Sequence, residues 1–148
     1  MMTQTDPGTL VPITDTTRSD RLRVTAVVFA VAVAVHGADH LRRGVDAIAG
    51  VVLGAGTTQF VVGALAVVLV FWRHRLAPIV AAAVGMTSAV GFAAAHLPPH
   101  WSAFSDPFTG NAVAPHVNTL SSWFTALFEI TADVAFGVAG LQLLRAGR

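Results

Sequence analysis

Two imidazoles and a carboxylate lie one helical turn apart near residue 40: His36, Asp39 and His40, in the pattern H-x-x-D-H, with Arg43 continuing the stripe. Positions three and four apart are neighbours on a helix, so these side chains share a face. Such a face can hold zinc, copper or iron, with His36 and His40 as ligands and Asp39 ligating or orienting an imidazole. A second polar stripe runs through Asn118, Ser122, Thr125, Glu129 and Asp133, at steps of four, three, four and four residues. An ionisable group in hydrocarbon costs on the order of 2.5 to 3.5 kcal/mol on insertion scales, so such residues are usually partnered and functional.

The elements that must position these residues follow from composition. The chain of 148 residues is 54% hydrophobic and 11% charged, with a mean hydropathy of +0.67, where a soluble domain carries about 25% charged residues. It reads as an all-α polytopic membrane protein in contact with the lipid bilayer. Four runs each reach the length of about 20 residues that a span requires: 24–41, 46–72, 76–97 and 119–144. Pro78 falls in the first turn of the third run and Pro98-Pro99 ends it. Short links between the first three runs predict neighbouring antiparallel helices in an up-down-up-down four-helix bundle.

Residues 1–20, polar and rich in Thr and Asp, read as a disordered cytoplasmic tail ahead of a membrane domain over 21–148. The first run could also serve as a signal-peptide core behind Arg21 and Arg23, but no small-x-small cleavage site precedes the histidines. With both termini inside, Arg18, Arg21, Arg23, Arg73, Arg75, Arg145 and Arg148 are cytoplasmic and only Arg42 and Arg43 lie outside. The positive-inside rule favours that orientation, in a cell (cytoplasmic) membrane. Every basic residue is arginine, compatible with a GC-rich bacterial genome. The long loop 98–118, with His100 and His116, then lies on the outer side, and its run HLPPHWSAFSDPF combines aromatics with prolines.

The absence of cysteine excludes thiolate nucleophiles, disulfide exchange, Cys-ligated zinc and iron–sulfur clusters. A net charge of +1, with the arginines at span ends, gives no reason to expect nucleic acid. There is no H-E-x-x-H, nucleotide-binding loop or G-x-S-x-G elbow. Any metal must be held by nitrogen and oxygen.

At about 1.5 Å per residue, Glu129 lies roughly 15 Å below the outer end of the fourth helix, near the midplane, and Asp133 one turn deeper. Thr57, Thr58 and Gln59 of the second helix and Thr87 and Ser88 of the third come to similar depth, where Thr58 could join Asp39, Arg43 and Asp133 in a proton relay or around a metal. On the third helix, however, His96 stands about 180° around from Thr87, so the two cannot both point inward. The expected metal set is His36, His40, His96 and Glu129. Haem would need His36 or His40 opposite His96 at equal depth.

Three functional classes fit these features, and an enzyme activity is not specified among them. The protein binds zinc, copper, iron or haem in an outward-opening polar pocket. Alternatively, Glu129, Asp133 and His36 relay protons or bind a small solute, as in a transporter. In the third class the ionisable residues pair with each other or with a partner membrane subunit in a non-catalytic accessory role. Gly50-x-x-x-Gly54, Gly85 with Ala89, and Gly137 with Gly140 supply close-packing surfaces for the bundle or for a homo-oligomer.

Overall fold

The computed structural model describes residues 13–44, 48–108 and 120–146, with side chains from Thr16 onward. His116, Asn118, Asp46 and the first twelve residues lie outside the described residues. Four helices account for nearly all the rest: α1 (Ile13–Arg43), α2 (Gly50–Phe71), α3 (Ala77–His96) and α4 (Leu120–Ala146). Each is long and apolar enough to cross a membrane.

The largest departure from expectation is at the start. Helix α1 begins at Ile13, so residues 13–20, expected in a disordered tail, are helical. Once the apolar run is helical, each further residue adds a backbone hydrogen bond without a new nucleation cost. Tertiary contacts then hold the polar turns: Arg21 donates to Gln142 Oε1 at 3.1 Å, and Leu22 is buried. Arg23 and Asp20 approach to 3.7 Å. With 31 residues, α1 is about 46 Å long and outreaches a hydrocarbon core of about 30 Å.

Helix α2 ends in a Schellman cap. His74 N–H donates to Leu69 O and Arg73 N–H to Val70 O, with Arg73 at φ 53° in the left-handed region. Three carbonyls of the α2 end are thereby satisfied within a very short connection, since Trp72 N–H also reaches Val68 O. Helix α3 then starts with Pro78 in its first turn, as expected.

Partners across α1 and α4 run in opposite order along the two helices. Arg21 meets Gln142, Phe29 stacks on Phe136 at 4.8 Å, His36 faces Glu129, and Arg42 reaches Ser122. The same holds for α3 and α4, where Gly140 lies against Pro78 and Ala82, and Gly85 against Asp133 and Gly137. Helix α4 is therefore the centre of the packing and antiparallel to both neighbours. A Cβ at Gly85 would lie 2.5 Å from Asp133 O and from Gly137 N. Backbone meets backbone there, the close approach that small residues allow between membrane helices.

The apolar core, built on Leu22, Phe29, Val70, Ala81, Phe136 and Ala139, fills only one half of the bundle. Helix α2 is bound to it through Gly63, Ala66 and Val70, all in its second half. No residue of its first half, from Gly50 to Val62, is buried, and Gln59 there reaches α3 by donating to Ser88 Oγ at 3.4 Å. In the opposite half of the bundle, the interior is lined by His36, Asp39, His96, Ser122, Thr125, Glu129 and Asp133, all buried.

Gly85→Ala is expected to lower stability by about 1–3 kcal/mol, the usual cost of overpacking a tight contact. Gly54→Ala, whose added carbon meets nothing within 4 Å, should be neutral or stabilising by up to about 1 kcal/mol through helix propensity. Thermal unfolding of both variants in one detergent separates the two.

Candidate metal centre

The polar half is assembled from α1, α3, α4 and the start of the loop after α3. Helix α1 contributes His36, Asp39, His40 and Arg43 from one face, as their spacing requires. His36 is buried to 2% exposure, and neither of its ring nitrogens has a hydrogen-bond partner. Its Nδ1 lies 3.7 Å from Glu129 Oε2. Both Glu129 oxygens and both Asp133 oxygens are likewise buried without a hydrogen bond. Buried polar groups are ordinarily satisfied, and leaving one unmade costs about 1–3 kcal/mol, so a contiguous group of orphans calls for an explanation.

His96 reaches this face from α3. The angular conflict between His96 and Thr87 resolves in favour of the histidine: His96 is 1% exposed, whereas Thr87 is exposed and donates back to Ala83 O. His96 Nδ1 lies 2.9 Å from Asp106 O. A carbonyl only accepts, so Nδ1 donates and the lone pair is left on Nε2. The ring is clasped between Phe92 at 5.9 Å and Phe108 at 4.8 Å, both stacked.

The run HLPPHWSAFSDPF acquires its physical meaning here. The chain turns out at Pro98-Pro99 and folds back over the end of α3, where four carbonyls lack intrahelical donors. Leu97 N–H donates to Ala93 O, Asp106 N–H to Ala95 O and Phe108 N–H to His96 O. Trp101 Nε1–H donates to Ala94 O. Ser105 Oγ in turn accepts from the backbone of Trp101 and Ser102. The loop start is thus a cap that locks His96 in place.

Arginine fastens the cap to α1. Arg43 Nη1 and Nη2 donate to the two Asp106 oxygens at 3.2 and 2.6 Å, and its guanidinium lies 5.5 Å from the Phe108 ring centroid. The pair is bidentate and the arginine side chain is 3% exposed, the geometry in which ion pairs are strongest. Arg43 Nη2 also lies 2.7 Å from His40 Nδ1. Guanidinium only donates, so this histidine nitrogen accepts.

Asp39 does not take the role of imidazole orienter expected of it. Its Oδ1 accepts from Arg42 Nε at 2.9 Å and its Oδ2 lies 3.3 Å from Arg43 Nε, because two cations at i+3 and i+4 outcompete a neutral ring for a carboxylate. Arg42 continues to Ser122 Oγ on α4 at 3.0 Å. Two arginines and two aspartates therefore balance one another beside the histidines. Thr58 also departs from expectation: it is exposed and donates to its own helix, at Gly54 O, at 2.9 Å. His100 is exposed on the loop.

Three of the four expected ligands meet. One ligating atom each from His36, His40 and His96 lies within 4.8 Å of the other two, and Glu129 adjoins His36. The His36 ring packs against His40 at 4.6 Å and His96 at 5.0 Å, centroid to centroid. Asp106 and Arg42 were not singled out from sequence. Asp106 is the one acidic residue within 98–118, a signal that a buried arginine across the bundle makes legible.

Comparison with protein-family models, curated proteins and solved structures yields no match. What the site can do is read from its own geometry.

Asp106→Ala is expected to destabilise the protein by on the order of 3 kcal/mol, since it removes the bidentate partner of a buried guanidinium. Arg43→Leu combined with Asp106→Leu should cost less than the two single changes summed. A thermal-unfolding double-mutant cycle measures the difference.

Proposed function

We propose that the protein binds a divalent transition metal through His36, His40 and His96, with Glu129 as the oxygen ligand, inside a membrane-spanning four-helix bundle. The observation that carries this reading is the convergence of the three imidazoles upon a His36–Glu129 pair whose nitrogens and oxygens are buried and without hydrogen bonds. Metal–nitrogen bonds of about 2.0–2.1 Å in a tetrahedral site put neighbouring ligand atoms roughly 3.3 Å apart. Bringing ligand atoms that lie within 4.8 Å of one another to that spacing calls for a closure of about 1–1.5 Å, of the order that side-chain rotation supplies.

Each residue has a part in this reading. His96 offers Nε2 while Asp106 O holds its Nδ1 proton, the second contact that fixes a ligating imidazole. His40 is poised on Arg43, so a metal at its Nδ1 displaces that one guanidinium contact and leaves the Asp106 pairing intact. Glu129 and Asp133 carry the charge that balances a dication. A bound zinc, copper or iron ion would act as an electron-pair acceptor toward an oxygen of a further ligand. Haem is disfavoured: the three rings are in mutual edge contact and leave no slot for a macrocycle between them. The seven-to-two arginine asymmetry supports a cytoplasmic membrane with both termini inside, and so a site toward the outer leaflet.

Asp133 supports a second reading. Its two oxygens are buried and without hydrogen bonds, one turn beyond Glu129 and on the far side from His40 and His96. His36, Glu129 and Asp133 form a line of proton-exchanging groups along the bundle. In that reading Asp133→Asn abolishes pH-driven flux into liposomes and leaves metal content unchanged.

The deciding experiment is elemental analysis of detergent-purified protein for zinc, copper and iron. Close to one ion per chain is expected in the wild type. His36→Ala and His96→Ala should lower occupancy by about tenfold or more, in line with the loss of a ligand. A folded wild type free of all three metals after metal-supplemented growth would overturn the metal reading.

A further inference from the structure

A cavity of about 620 Å³ lies between α2, α3 and the cap loop, with His40 and His96 in its wall. Its volume falls within the range of small-molecule sites, about 300–1,000 Å³. Val52, Val62, Val84 and Phe92 supply much of its apolar surface. Among the described residues, no arginine, lysine, aspartate or glutamate lines it. The hydroxyls of Thr58 and Thr87 are directed to their own helix carbonyls, and Gln59 Nε2 donates to Ser88 Oγ at 3.4 Å. Among the described residues, the polar atoms left to meet a ligand are those of the imidazoles, the Gln59 amide and the Ser88 hydroxyl.

Two glycines line this volume. A Cβ at Gly63, Gly85, Gly137 or Gly140 would strike a neighbour at 3.0 Å or less, so close packing explains those four. Gly37, Gly50 and Gly54 are free of such contacts, and so are Gly56 and Gly91. A Cβ at either of the last two would meet nothing within 4 Å, and both line the cavity. Glycine inside a helix costs about 1 kcal/mol against alanine, and here no contact repays it. Its effect is empty space beside the histidines.

The way in is lateral. Thr58 and Thr87 on the rim are exposed, as is Val62 at 43%, and all three lie on helices apolar enough to span a membrane. The rim therefore opens toward lipid, and what enters must be lipid-soluble. A phosphate or carboxylate head would find no arginine or lysine among the described residues of the wall, and with Glu129 and Asp133 balancing the charge of a bound dication an added bare charge there is costly.

We propose that this cavity receives an uncharged lipophilic ligand, a hydrocarbon body with a carbonyl or hydroxyl head, which enters from the bilayer between α2 and α3 and presents its head to His40 and His96. The destination of the head rests on the metal reading above; occupancy of the cavity does not.

The test is photolabelling of purified protein by hexadecanol carrying a diazirine on its chain, with labelled peptides located by mass spectrometry and metals measured in the same samples. Saturable labelling within residues 52–62 and 84–95 is expected, displaced by excess hexadecanol and not by hexadecyl phosphate. Gly56→Leu and Gly91→Leu should weaken labelling by about tenfold, the equivalent of an overpacking cost of 1–2 kcal/mol, with metal content unchanged. Gly54→Leu, whose side chain also meets open space outside this cavity, should label like the wild type and controls for folding. Hexadecanol should also shift the visible absorption of cobalt-loaded protein.

Labelling unchanged in both cavity-filling variants, or equal displacement by hexadecyl phosphate, would each overturn the proposal. Saturable labelling with no cobalt shift would refute the placement of the head at the histidines. A protein that labels but takes up no metal would refute the metal reading while the cavity's ligand stands.

Discussion

The contact between the Arg43 guanidinium and the Asp106 carboxylate ties together everything that makes the polar half of this protein a site. Arg43 sits at the end of α1, and Asp106 belongs to a segment that has already satisfied the open carbonyls of α3. Joining them fixes the end of α3 against α1, and so brings His96 beside His36 and His40. A buried arginine left without that carboxylate would carry a large desolvation penalty. The same guanidinium contacts His40 and lies over Phe108, which stacks on His96. One side chain thereby reaches two of the three imidazoles, directly or through a single ring.

The rest of the bundle divides into a rigid part and a loose part. Helices α3 and α4 are in backbone contact through Gly85, Gly137 and Gly140, and α1 is fastened to α4 along its length by pairs from Arg21–Gln142 to Arg42–Ser122. These three helices carry His36, His40, His96 and Glu129. Helix α2 carries none of them, and its buried residues, Gly63, Ala66 and Val70, all lie toward the end that meets the apolar core. The division suits a membrane site: a three-helix frame sets the geometry of the chemistry, and a fourth helix buried toward one end leaves room between itself and the frame for something to approach.

Burying polar groups in such an interior is costly, and the structure treats two sets of them differently. Asp39, Arg42, Arg43, Asp106 and Ser122 form a connected network in which charges cancel and the Arg43–Asp106 pair is bidentate, while Asp39 Oδ2 lies 3.3 Å from Arg43 Nε without a hydrogen bond between them. His36, Glu129 and Asp133 lie alongside with their ring and carboxyl atoms unmatched. A purely structural role would have been served by matching these groups too, as the neighbouring arginines are matched. The mismatch falls on the residues nearest the histidine cluster, which is why it is read as a place for a cation or a proton rather than as glue between helices.

Much of this was legible from residue order alone. Hydropathy and proline placement located the four helices, because a span must be long and apolar, and a proline fits a helix's first turn but stops a helix that runs into it. The periods of three and four set His36, Asp39, His40 and Arg43 on one face of α1 and Ser122, Thr125, Glu129 and Asp133 on one face of α4, because side-chain direction within a helix follows from its pitch. Residue order could not say how each helix is rotated about its own axis. His96 and Thr87 competed for the interior of α3, and the choice was made by Phe108 and Asp106 folding back from a loop. Nor could it say what a polar side chain would find opposite it: Asp39 turned to two arginines, and Thr58 turned to a carbonyl of its own helix. Periodicity fixes faces within an element, whereas the partners those faces meet depend on close contacts between elements far apart in the chain, and these only the tertiary packing decides.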